Sequence, residues 1–237
     1  NTNGVTVTLV YVDGTQGWKL VDTGEAASLP QVALFTVATV SGAGNTLATA
    51  PDCANYKIAT FTGPGTFCVS QVGNSPANPS GGPANASFLV VAGGGGGGAG
   101  GARGTPSIFS TITSTGGGSQ QAGCLPSIAP GGSGAGAGKT LGRGTGNTPP
   151  VSPPQGENGG GPPAGNSAIF GGGGGGKGCA GDFPGPGNQF GANGGVGEAN
   201  TITGSSLTYA GGGGGGASTW ACGSPIPKDG GTGGSGG

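Results

Sequence analysis

Three runs of six glycines, at 93–98, 171–176 and 211–216, constrain this chain more than any other feature. Six consecutive residues without a Cβ offer no side chain to bury, so such a run cannot build an ordinary hydrophobic core. Each run follows a short apolar stretch: Phe88-Leu89-Val90-Val91-Ala92, Ser167-Ala168-Ile169-Phe170 and Leu207-Thr208-Tyr209-Ala210. Shorter glycine segments lie at 116–118, 131–138, 158–161, 191–197 and 230–237. Two physical states are open to such runs. One is a flexible linker, because glycine loses the most backbone entropy on ordering. The other is a lattice of polyglycine II helices, extended threads with three residues per turn, a rise of ~3.1 Å and no internal hydrogen bonds. Their N–H and C=O groups point outward in three directions, and with no Cβ in the way neighbouring threads can satisfy them. The recurrence of pure glycine at one length, next to strand-like apolar residues, favours the lattice. So do the Phe, Ile, Leu, Trp and Cys residues between the runs, which solvated linkers avoid.

Glycine content divides the chain in two. Of 65 glycines, 11 lie in residues 1–92 and 54 beyond. The first part reads as β. Val5 to Val12 is β-branched and aromatic, Asp13-Gly14 is a turn signal, and Gly17 to Val21 is the return strand. Leu34 to Val40 is a further strand candidate, and Ser87 to Val91 a short buried one. Tyr56 to Thr62 alternates apolar and polar, Gly63-Pro64-Gly65 predicts a reversal, and Thr66 to Ser70 a return. No segment carries a 3.6-residue apolar period, so no helix is expected. The fold class is therefore an all-β N-terminal part followed by a glycine-rich domain of packed polyglycine II helices, with essentially no α-helix. Its expected divisions are a β-repeat at 1–25, a small β domain at 26–92 and a glycine-rich domain at 93–237.

Several functions are disfavoured by composition. Seven Lys and Arg residues give no basic face for nucleic acid. No apolar run approaches the ~20 residues of a membrane span. Histidine is absent, which removes the Ser-His-Asp triad and the commonest metal ligand. The chain begins at Asn1 and contains no Met, as expected of a fragment or processed product. Gly134-Ala135-Gly136-Ala137-Gly138-Lys139-Thr140 imitates a phosphate-binding loop, but Ser133 stands where that motif needs Gly. No C-x-x-C pair exists among Cys53, Cys68, Cys124, Cys179 and Cys222, so neither a metal nor another cofactor is expected. Cys53 and Cys68 flank the expected reversal, at a spacing that permits a bridge. Glu157, Asp182 and Glu198 lie in the glycine-rich part, and a polysaccharide hydrolase would need two carboxylates to converge.

Three stretches carry a family resemblance. Gly4 to Val21 resembles a β-repeat of bacteriophage tail fibres. Tyr56 to Val69, with its Phe61-Thr62-Gly63-Pro64-Gly65-Thr66-Phe67 core, is similar to the β-unit that precedes glycine-rich tips. Phe88 to Gly93 resembles the entry into those tips. The resemblance implies a virion tail fibre, a homotrimer joined to upstream fibre segments. Its polyglycine II tip would bear variable loops that bind a bacterial surface receptor, an outer-membrane protein or a polysaccharide, without catalysis, nucleic acid or membrane insertion.

Large apolar residues of the second part then fall into two groups. Phe88, Leu89, Ile169, Phe170, Leu207 and Tyr209 stand just before glycine runs and are expected to plug the core. Ile108, Phe109, Leu125, Phe183, Phe190 and Trp220 lie deeper between the runs. A thin glycine slab has little interior to bury them, which makes them the candidate receptor-binding residues. The competing reading is a glycine-rich structural protein of an extracellular fibril or cell wall, which would call for a long regular repeat and no dissimilar apolar loops.

Overall fold

The computed structural model describes residues 7–13, 17–23, 32–95, 101–121, 127–138, 142–162, 170–184, 190–217 and 229–237. Among them there is no helix, and the strands pair two by two. The chain divides into two compact units, one formed by 1–48 with 59–86, the other by 49–58 with 87–237.

In the first unit, β1 (Val7–Asp13) and β2 (Gly17–Thr23) form an antiparallel hairpin with Leu9 opposite Leu20 and Tyr11 opposite Trp18. This is the hairpin expected from the turn signal at Asp13-Gly14. The next four strands pair differently from the expectation. β3 (Val37–Val40) pairs antiparallel with β6 (Phe67–Gln71), and β4 (Thr46–Thr49) pairs with β5 (Lys57–Thr60). Gly63-Pro64-Gly65 therefore does not turn β5 back onto β6. It forms a kink facing a second kink at Ser41 to Asn45.

Asn45 holds the two kinks together. Its Nδ2 donates to the carbonyls of Ser41 and Pro64 at 3.0 and 3.2 Å. Its Oδ1 accepts from the N–H groups of Thr62 and Gly63 at 3.0 and 3.3 Å. Two donors and two acceptors saturate the amide. Gly42 sits here at φ +104°, and a Cβ on it would strike the Pro64 carbonyl, so glycine is required on both counts. A second side-chain amide, Asn74, bonds Leu34 N–H and the Val32 carbonyl at 3.0 and 2.9 Å and fixes the return of the 72–85 loop.

The second unit contains short hairpins: β7 (Ser107–Phe109) with β8 (Ile112–Ser114), β9 (Ser119–Gln121) with β10 (Ser127–Ala129), and β11 (Glu198–Asn200) with β12 (Leu207–Tyr209). The strand expected at Ser87 to Val91 is absent. That stretch runs without a ladder, because β propensity forms a strand only where a partner supplies hydrogen bonds.

Between the hairpins, extended glycine segments bond to one another through their backbones. The 171–176 run is the clearest case. Gly171 and Gly174 donate to Gly216 and Gly213, both at 2.8 Å. Gly172 and Gly175 donate to Ala137 and Gly134, both at 2.9 Å. Gly173 and Gly176 donate to Asp182 and Cys179 at 3.0 and 2.9 Å. Donors thus return to the same neighbour every third residue. The carbonyls serve two further segments: Gly171 and Gly174 accept from Ala192 and Gly195, Gly173 and Gly176 from Gly160 and Glu157.

Both chain directions occur, since the 192–195 segment runs parallel to the run and the 213–216 segment antiparallel. Close approach demands glycine. A Cβ at Gly136 would strike the Gly172 carbonyl, one at Gly173 that of Asn193, and one at Gly212 that of Gly174. Backbone hydrogen bonds, about 0.5–1.5 kcal/mol each, take the place of side-chain packing.

The apolar core is correspondingly small. Ala50, Ala129, Ala137, Phe170 and Ala192 are the buried hydrophobic residues described in this unit. Of the expected core plugs, Phe170 is buried at 7% exposure and Tyr209 is half-buried. Phe88, Leu89 and Leu207 are exposed instead, because the glycine segments pack backbone to backbone and leave no cavity for a large side chain. Ile169 lies outside the described residues. Cys53, Cys68 and Cys179 are free thiols, so Cys53 and Cys68 are not bridged; Cys124 and Cys222 lie outside the described residues.

Candidate recognition surface

The segment 190–197 lies at an edge of the backbone-bonded array. Its sequence, Phe190-Gly191-Ala192-Asn193-Gly194-Gly195-Val196-Gly197, places a larger residue at every third position. Hydrogen bonding explains the spacing. Gly191, Gly194 and Gly197 donate to Asp229, Thr232 and Ser235 at 3.0, 2.8 and 2.9 Å. Ala192 and Gly195 donate to the 171–176 run. The remaining positions, Phe190, Asn193 and Val196, are exposed, and the N–H groups of Asn193 and Val196 have no protein partner among the described residues. The neighbouring segment repeats the rule. Asp229, Thr232 and Ser235 are its exposed, larger residues, again three apart. Bonding that recurs every third residue thus leaves one position in three to carry a side chain.

Two open depressions of about 430 and 380 Å³ lie along this edge. Asp182, Asn193 and Thr232 line both. Phe183 and Phe190 line the first, at 65% and 55% exposure, and Val196 and Ser235 the second.

Backbone bonds fix the polar residues in place. Asp182 donates its N–H to the Asn193 carbonyl at 2.9 Å and accepts from Gly173 at 3.0 Å. Asn193 Oδ1 accepts from both the N–H and the hydroxyl of Thr232, at 3.0 and 2.9 Å. No hydrogen bond among the described residues engages the Asn193 Nδ2 donors or the Asp182 carboxylate, and both residues line the depressions. Pro184, fully buried, anchors the chain directly after Phe183.

The structure sorts the sequence candidates. Phe183 and Phe190 come together at one depression. Ile108 and Phe109 are exposed at 67% and 39%, but sit on the β7–β8 hairpin beside Phe88, whose ring centroid is 6.0 Å from that of Phe109. Leu125 and Trp220 lie outside the described residues. Of the carboxylates singled out from the sequence, Asp182 lines the depressions, Glu198 pairs with Lys177 at 2.6 Å, and the Glu157 backbone is built into the array. Among the described residues no three His, Cys, Asp or Glu side chains group as metal ligands, and no helix is long and apolar enough to cross a membrane.

A second surface is a proline-rich loop, Pro149 to Pro154, exposed along its length. Asn147 Oδ1 accepts from Val151 and Gln155 N–H groups at 3.2 and 3.1 Å, and Gln155 joins the loop to Thr113 and Thr115. Asn193, Thr232, Val196 and Ser235 escape a reading that seeks only large apolar residues. The signal that finds them is the period-three placement of non-glycine residues in 190–196 and 229–235. Comparison with family models, curated proteins and solved structures finds no match for the chain.

Proposed function

We propose that this chain is the distal part of a bacteriophage tail fibre, an adhesin that attaches to a bacterial surface by binding without catalysis. In this reading the glycine segments are polyglycine II helices. The three-residue recurrence of donors along 171–176, and the absence of left-handed φ values in that run, support it. The slab serves as a rigid platform, and residues at its edges and loops make contact with the host.

The observation that carries the proposal is the placement of Phe183 and Phe190. Both are more than half exposed, yet they emerge next to segments whose backbones are bonded on several sides. Exposed aromatics on a preorganised frame bind with little ordering cost. The exposed apolar side chains of Phe88, Leu89, Val91, Ile108 and Ile112 also suit a homotrimer, in which other copies would cover them. Several identical tips give avidity, so each site can be weak. Low net charge suits recognition by stacking and hydrogen bonding over electrostatic steering.

The test is binding of the fluorescently labelled chain to a panel of bacterial strains with differing surfaces. Saturable binding to a subset is expected, weakened by at least about tenfold in the Phe183→Ala, Phe190→Ala double variant. Binding to no strain, or equal binding by the variant, contradicts the proposal.

A further inference from the structure

We infer that the groove along the 190–196 edge takes a neutral saccharide, bound as an extended chain of two or more sugar units. The inference rests on the adhesin reading and narrows it from a surface receptor to a class of ligand. Four features of the groove point to this chemistry.

The first is its aromatic end. Phe183 and Phe190 are both largely exposed and line the same depression. A ring held at a surface offers an apolar face to the C–H groups of a pyranose, which are themselves polarised by the sugar oxygens. Such contacts combine area burial with the pull of the ring's negative face.

The second is the mixture of polar groups beside the rings. A sugar hydroxyl donates one hydrogen bond and accepts others, so a sugar site needs acceptors and donors close together. Asp182 supplies a carboxylate acceptor. Asn193 supplies the two N–H donors of its amide, because Thr232 already occupies its oxygen. The unbonded N–H groups of Asn193 and Val196 add backbone donors three residues apart along the same edge. The main chain that carries these groups is already ordered, since Asp182 and Asn193 are bonded to each other and Asp182 to Gly173.

The third is charge. Among the described residues, Asp182 is the one charged residue lining either depression. A carboxylate with no cation among the described lining residues repels sulfate, phosphate and uronate groups and accepts neutral hydroxyls. That argues against acidic capsule and the phosphorylated core of a lipopolysaccharide.

The fourth is length. The two depressions, of about 430 and 380 Å³, are both open-sided and adjoin at Asp182, Asn193 and Thr232, which line each of them. An open groove fits the interior of a polymer, with no need to enclose a chain end.

Two arms of one experiment separate the ligand class from the adhesin reading. In the first, the intact chain is titrated with three neutral polysaccharides, dextran, mannan and galactan, and with the acidic polymer alginate. In the second, strains that bind the chain are treated with periodate, which cleaves vicinal diols, or with protease. Expected are binding to at least one neutral polymer and none to alginate, together with loss of cell binding after periodate and its survival after protease.

Phe190→Ala and Asp182→Asn should each weaken the polysaccharide interaction by about tenfold. Both positions are exposed at the edge, and an unchanged melting temperature separates loss of binding from loss of fold. Cell binding that survives periodate and is lost to protease assigns the receptor to protein. It overturns the saccharide inference and leaves the adhesin reading standing. Failure to bind any untreated strain removes the adhesin reading itself. Tighter binding to alginate than to the neutral polymers refutes the charge argument, and with it the ligand class.

Discussion

Replacing one glycine by alanine at two positions tests whether backbone contact, and no side-chain core, holds the second unit together. At Gly173 the new methyl would strike the carbonyl oxygen of Asn193. Room can be made only by moving the 190–197 segment away from the 171–176 run. The bonds between them are Ala192 N–H to the Gly171 carbonyl at 3.0 Å and Gly195 N–H to the Gly174 carbonyl at 2.9 Å. Losing both costs about 1–3 kcal/mol at roughly 0.5–1.5 kcal/mol per bond. Overpacking strain adds about 1–3 kcal/mol. The expected loss is therefore about 2–6 kcal/mol, a large part of the ~5–15 kcal/mol of a typical fold.

At Gly213 the same methyl meets no atom within 4 Å, and the backbone there is outside the left-handed region. Gly213→Ala should be neutral, or stabilise by about 0.4–1 kcal/mol by narrowing the unfolded ensemble. Scanning calorimetry of the two variants beside the parent protein reads the difference. Equal shifts in melting temperature, or a larger loss at Gly213, would refute the reasoning, because propensity alone treats the two glycines alike.

Asn45→Ala removes four hydrogen bonds that tie the kink at 41–45 to the kink at 62–65. A loss of at least about 2 kcal/mol is expected in chemical denaturation, since the bonds are worth roughly 0.5–1.5 kcal/mol each; a loss under half of that would mean that the two kinks hold without the amide. The exposed thiols of Cys68 and Cys179 should react with a thiol-specific reagent in the native protein without prior reduction. Labelling of either position only after reductant is added, read by peptide mass spectrometry, would contradict the free-thiol assignment.

Some of this architecture is readable before any coordinates. β-branched residues on both sides of Asp13-Gly14 identify the β1–β2 hairpin, because turn and strand signals agree there. Gly63-Pro64-Gly65 misleads for a physical reason. A turn-forming tripeptide can reverse a chain or merely bend it, and the choice is made by Asn45, distant in sequence. Phe88 to Val91 has strand composition but no ladder partner, and composition carries no information about partners. At the candidate site the aromatics are legible, since Phe183 and Phe190 are large residues in a part of the chain with almost no core. Asn193 and Thr232 look like ordinary loop residues until the period of three is recognised. That period follows from the geometry of an extended thread whose other two faces are occupied.

Amide hydrogen exchange of Gly171 to Gly176 in the intact chain, followed residue by residue by nuclear magnetic resonance, reaches the central claim most directly. Strong protection is expected along the whole run, together with faster exchange at Asn193 and Val196, whose N–H groups face outward. Exchange of Gly171 to Gly176 at the rate of an unstructured peptide would contradict the account, because the few buried side chains described in this unit are too small a core to hold those segments if their backbone bonds do not.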